Sequence, residues 1–174
     1  MEYEEYRQLR AYSRYDGIYL AILWLASFAL TVMTPPTSIG GSISTLLILI
    51  TPFFVAWRLR KYREEGLGGT ISFKRALLYC VRVFFNASLF FAICQWAYMY
   101  FLDGGRLLRM YETLLNAPEM QAALQAVGMS SSEMNAAAEQ MFTPVYLASY
   151  SFFIGFTSGI ILSLLIAAIM QRRG

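Results

Sequence analysis

The stretch SYSFFIGFTSGIILSLLIAAIM, residues Ser149 to Met170, carries no charged side chain and decides what kind of molecule this is. A helix needs about 20 apolar residues to cross roughly 30 Å of hydrocarbon, and this run supplies them. Within it Ser151, Gly155, Gly159, Ser163 and Ala167 recur at every fourth position, a spacing that puts them on one helix face. Lipid tails are as apolar as leucine, so helices in a bilayer associate through close packing and hydrogen bonds. A seam of small residues lets two backbones approach. Its expected use is packing within the same bundle, with another copy or a different protein as the alternative occupant. A solute path suits it least, because the face offers few polar groups.

The rest of the chain has the same character. Of its 174 residues 57% are hydrophobic and 14% charged, and the mean hydropathy is +0.48. Soluble domains carry about 25% charge and 45–50% apolar residues, so lipid must be the solvent for much of this one. Four segments qualify as spans, at about 17–33, 39–59, 74–102 and 144–170. Pro35-Pro36 ends the first. Pro52 removes a backbone donor inside the second and predicts a bend, with the Thr51 hydroxyl available to the freed carbonyl. The expected fold is all-α: a polytopic membrane protein, one domain over 1–174, with four transmembrane helices.

Lysine and arginine in the connections set the direction. Arg7, Arg10 and Arg14 precede the first span, Arg58, Arg60, Lys61, Arg63, Lys74 and Arg75 follow the second, and Arg172 and Arg173 follow the fourth. Eleven of the 14 basic residues therefore share one side, and both termini are expected in the cytosol of a bacterial inner membrane. Glu2, Glu4 and Glu5 ahead of the first span argue against a cleaved signal peptide.

The extracytoplasmic loop between spans three and four, 103–143, predicts three short amphipathic helices. Leu107, Leu108, Tyr111, Leu114 and Leu115 form one stripe. Pro118 opens a second helix with Met120, Leu124 and Val127 on a face and Gly128 as its stop. Ser130 and Glu133 stand at capping-box spacing ahead of a third. Met110, Met120, Met129, Met134 and Met141 are too sparse for a thioether metal cluster and read as adaptable packing.

Few residues advertise chemistry. There is no histidine, which removes the commonest general base and transition-metal ligand. Cys80 and Cys94, both in the third span, stand about 21 Å apart along a helix, too far for a disulfide, and read as small buried hydrophobes. Asp16 and Asp103 sit at the edges of spans, and no nucleophile has an activating neighbour. No catalytic, cofactor or metal residue is assigned. Arg82 and Asn86, one turn apart in the third span, predict either a structural bond between Arg82 and Asn86 or Ser88, with Arg82 reaching for the headgroups, or an anion contact. The basic connection, with Arg58, Arg60, Lys61, Arg63, Lys74 and Arg75, predicts contact with anionic headgroups or a partner. Gln95 is expected to bond between helices, and Ser72 to cap the third span.

Three stretches, RKYREEGLGGTISFKRAL at 60–77, VGMSSSEMNAAAEQMFTP at 127–144 and SGIILSLLIAAIMQRR at 158–173, occur in an order and spacing that resembles domain-of-unknown-function family 4199. That resemblance covers nearly the whole chain from the first span onward. It implies four-helix bacterial inner-membrane proteins and lends no activity. It also implies a gene neighbourhood with dolichyl-phosphate-mannose-synthase-like glycosyltransferases. The expected function is a non-catalytic accessory or anchoring subunit, partnering membrane lipid and either a polyprenyl-phosphate glycosyltransferase or another copy of itself, with no nucleic acid. The alternative is a small carrier or lipid-translocating oligomer using Arg82 and Asn86.

Overall fold

The structure, a computed structural model, describes residues 3–35, 38–126, 128 and 130–172. The expectations for Glu2, Pro36, Val127, Met129 and Arg173 lie outside these residues. Eight helices follow in chain order: α1 (Tyr3–Met33), α2 (Ile39–Leu49), α3 (Thr51–Leu67), α4 (Phe73–Phe101), α5 (Arg106–Leu115), α6 (Pro118–Ala126), α7 (Ser131–Met141) and α8 (Pro144–Met170). The chain is an all-α polytopic membrane protein. Helices α1, α4 and α8 are each long and apolar enough to cross a bilayer; α2 with α3 is apolar enough only as a pair bent by 42°. The described residues thus hold three candidate spans, or four where that pair counts as one broken span and not as a re-entrant loop.

The bend has the expected site and a different hydrogen-bonding partner. Pro52 occupies the first turn of α3, where its missing N–H costs nothing, and the chain kinks at Ile50. Thr51 does not turn back to the freed carbonyl; its hydroxyl accepts from the Trp24 indole at 3.0 Å and ties the break to α1. The first helix is also longer than the span expected of it. Hydropathy starts it at Gly17, whereas α1 is helical from Tyr3, because Leu9, Ser13, Asp16, Gly17 and Leu20 form a buried stripe that continues below the apolar run.

The contacts divide the chain into two compact units. The first holds residues 1–92 and 151–174. Its core is Leu9, Leu20, Val55, Leu59, Tyr62, Tyr79, Val83, Phe84, Ile166 and Ala167, with their neighbours. Hydroxyls bind α1 to α2: Ser44 meets Ser27 at 2.9 Å and Thr31 at 2.7 Å. Such bonds hold helices together where water is absent, each contributing about 0.6–2 kcal/mol. Helices α1 and α4 approach so closely at Gly17 that a Cβ there would stand 2.6 Å from the Asn86 Cβ. At the other end of α3, Gly68 adopts φ +67° and ends the helix. Ile71 then pairs with Arg172 in an isolated antiparallel bridge, joining the connection after α3 to the tail after α8. Ser72 accepts from the Arg75 N–H as the predicted cap of α4.

The second unit, 93–150, contains the three short helices. Asp103 accepts from the Leu107 N–H and caps α5, while Ser130 and Glu133 form the predicted capping box of α7. Leu107 and Leu115 are buried, and Tyr111 packs on Phe142. Gln95 is buried, but its Oε1 has no hydrogen-bond partner among the described residues, contrary to the expected interhelical bond. Cys94 is exposed, which corrects the expectation that both thiols are buried; Cys80 alone is. The 14-residue spacing gives nearly the same helix face only for an ideal repeat, and the drift of 14 residues on a 3.6-residue period is about 40°.

Candidate functional site

The main polar centre is one that hydropathy does not reveal. Asp16 lies within helix α1, with only 1% of its side chain exposed. Arg58 from α3 donates to Asp16 Oδ1 through Nε at 2.6 Å and also through Nη2, and the Tyr79 hydroxyl of α4 donates to Oδ2. Three helices therefore converge on one carboxylate. The Arg58 guanidinium lies over the rings of Tyr19 and Trp57, at 5.2 and 5.3 Å from their centroids, so aromatic faces shield part of its surface. Tyr79 stacks on Tyr62 at 4.9 Å, and the Tyr62 hydroxyl accepts from Arg75 Nε at 3.2 Å. Arg75 Nη1 reaches Glu5 of α1 at 3.0 Å. A continuous chain of polar and aromatic side chains thus runs from Asp16 to Glu5.

The cations predicted to form a common docking face are distributed among separate partners. Arg60 pairs with Glu64 at 2.9 Å and Lys61 with Glu65 at 3.7 Å, both across one turn of α3. Arg63 is buried and donates to the Met170 carbonyl at 3.1 Å, a cation on the C-terminal end of α8. Lys74 is exposed at the start of α4. Arg58, Arg63 and Arg75 face the protein interior, and Arg60, Lys61 and Lys74 face outward.

Arg82 and Asn86 do not bond to each other. Arg82 donates to the Tyr6 hydroxyl at 2.6 Å and lies over its ring, while Asn86 donates to the Ser13 carbonyl at 3.4 Å. Both tie α4 to the part of α1 that precedes its apolar run. Sequence reasoning had no partner for Arg82 there, since it left Tyr3–Asp16 outside the span.

On α8, Gly159, Ser163 and Ala167 are buried, and Ser151 and Gly155 are half-buried. A Cβ on Gly159 would stand 2.5 Å from Phe84, and one on Gly155 would stand 2.8 Å from the Ser88 hydroxyl and 3.3 Å from the Trp24 ring. The Ser163 hydroxyl donates to the Gly159 carbonyl at 2.6 Å, within its own helix.

The sequence profile of the family described as "protein of unknown function (DUF4199)" matches residues 15–172. The chain belongs to this family. The matched DUF4199 region takes in Asp16, Arg58 and Tyr79 together with all of α8. No curated protein and no solved structure matches the chain. DUF4199 carries no assigned activity, so function rests on the geometry.

Proposed function

We propose that the chain is a non-catalytic component of a bacterial inner membrane, with both termini in the cytosol, acting as an accessory or anchoring subunit that holds a partner protein or a second copy in place. The observation that carries this reading is the use made of the polar side chains deep in the first unit. Asp16 joins α1 to α3 and α4, Ser44 joins α2 to α1, Trp24 joins α1 to Thr51, and Asn86 joins α4 to α1. Each is a tie between helices that satisfies a group lipid could not. A carrier needs polar groups that exchange partners with cargo, and Arg82, the residue best suited to attract an anion, donates to Tyr6.

The small residues of α8 lie against Phe84, Ser88 and Trp24. Its bulky face, with Phe153, Ile154, Ile161, Leu164 and Leu165, is exposed and available to lipid or to a neighbouring span. The proposed partner acts on polyprenyl-phosphate sugars. The outward Lys74 supports it, because it offers positive charge at the membrane surface where a lipid-linked phosphate is handled, whereas Arg60 and Lys61 are paired with Glu64 and Glu65. Affinity purification of the tagged full chain from native membranes at physiological salt tests the proposal. A stoichiometric companion is expected, and recovery of the protein alone overturns it.

A further inference from the structure

Between α1 and α3, at the basic end of the helices, lies an open cleft of about 340 Å³, within the ~300–1,000 Å³ of small-molecule sites. Asp16 and Arg58 lie in it, Tyr12 and Tyr15 line the α1 side, and Lys61 and Glu65 line the α3 side. The lining is electrically balanced, with two carboxylates against one guanidinium and one ammonium. The two ion pairs differ in kind. Asp16 and Arg58 are locked by burial and by Tyr79, whereas Lys61 and Glu65 are 3.7 Å apart with side chains 44% and 53% exposed. The second pair is free to exchange partners, since exposed pairs of this type contribute only about 0.3–0.5 kcal/mol. Arg58 contacts Asp16 through Nε and Nη2, leaving Nη1 outside that contact.

The level of the cleft is also informative. Tyr15, Tyr19 and Trp57 are all more than half exposed around it, as amphipathic rings are where a membrane meets water. Farther from the basic end, Ile22 of α1, Ile50 at the break between α2 and α3, and Phe53 in the first turn of α3 are exposed and purely apolar. A molecule with its charged end in the cleft has a hydrocarbon track directly beneath it.

We propose that this cleft binds the headgroup of a zwitterionic phospholipid bearing a primary ammonium. Arg58 Nη1 and Lys61 take the phosphate, and Glu65 takes the ammonium at the outer end of the cleft, beside Tyr12 and away from the Tyr15 ring, over which Arg14 lies. Lys61 and Glu65 give up each other and each gains an opposite charge, so the balance of the cleft is kept. An anionic headgroup would meet the same two cations but leave Glu65 facing it unpaired. A choline headgroup cannot donate a hydrogen bond to Glu65. The site needs no protein partner and stands apart from the anchoring role.

The test is lipid retention by the full chain. The protein is placed in nanodiscs with equal phosphatidylethanolamine, phosphatidylcholine and phosphatidylglycerol, transferred to mild detergent, and weighed with its bound lipid by native mass spectrometry. One phosphatidylethanolamine per chain is expected. Glu65→Gln is expected to lower its retention relative to phosphatidylglycerol about tenfold, the loss of one charge-assisted hydrogen bond. Glu65→Lys, which makes the lining positive, is expected to reverse the preference. Both substitutions fall on an exposed side chain, and unchanged thermal melts of the two variants keep the readout specific to binding. O-phosphoethanolamine at millimolar concentration is expected to leave the bound lipid in place; displacement by it overturns a lipid in favour of a soluble phosphate ester. Equal retention of phosphatidylglycerol by the wild type, or retention indifferent to Glu65→Gln, overturns the site.

Discussion

Asp16→Ala is the substitution that bears most directly on how this protein is held together. It removes one carboxylate on which two other helices depend. Arg58, with 15% of its side chain exposed, is left as an uncompensated charge, and breaking a buried pair from one side costs about 3–5 kcal/mol. The Tyr79 hydroxyl, wholly buried, loses its acceptor, which costs about 1–3 kcal/mol more unless it finds another. Arg58 can recover part of the loss by turning toward the basic end of the bundle, so about 3–5 kcal/mol in all is expected, or roughly two to four orders of magnitude in the folding constant. Arg58→Met removes the charge and keeps an apolar stem in its place. The double variant is therefore expected to be more stable than Asp16→Ala alone, with a coupling of about 1–3 kcal/mol. Titration of mixed micelles with sodium dodecyl sulfate, followed by tryptophan fluorescence, measures all three variants; Trp24 reports directly from the core. Strictly additive single effects, with coupling below about 0.5 kcal/mol, would mean that Arg58 is solvated by headgroups and that Asp16 is not its partner.

Other outcomes follow from the same contacts. Gly159→Leu puts a side chain where even a Cβ meets Phe84 at 2.5 Å, and overpacking of this kind is expected to cost at least about 1–3 kcal/mol in the same titration. Gly155→Ala is expected to cost less, because the nearest atom is the Ser88 hydroxyl, the movable end of a side chain. Trp24→Phe keeps the ring contacts to Phe84 and Phe91 but loses the donor to Thr51, for about 1 kcal/mol. A thiol reagent that partitions into the membrane is expected to label Cys94 in the folded protein and Cys80 only on unfolding, as read by peptide mass spectrometry. Hydrogen bonds from the Ser130 hydroxyl and N–H hold the Glu133 carboxyl below its usual range. A depressed folded pKa stabilises above the unfolded value of about 4.3 and loses that contribution as pH falls through the folded value. The protection factors of amides in the first turn of α7, corrected for the pH dependence of intrinsic exchange, are therefore expected to fall in that acid window, and Glu133→Gln is expected to remove that fall.

What could be read from sequence and what could not separate along a physical line. Span four, the three short helices of the loop and the cap of α7 are local: length, hydropathy and capping residues state them, and α8 runs from Pro144 to Met170 as expected. The polar centre is not local. Asp16 is joined to Arg58 and Tyr79 from 42 and 63 residues away, and a hydropathy window that stops at charges ends the span at Gly17 for the very reason that Asp16 is charged. Arg58 was expected outside, among the cations of the connection, because a positive charge with no visible partner is assigned to water or headgroups. One signal was present. Leu9, Ser13, Asp16, Leu20, Trp24 and Ser27 follow one another at spacings of three and four and share a buried face, so a carboxylate standing in that series had to be buried and had to have a partner. Arg82 illustrates the same rule from the other side. Its partner, Tyr6, belongs to the length of α1 that hydropathy discards. In a chain whose solvent is lipid, apolar residues mark where the helices run, and the few polar residues mark which helices touch.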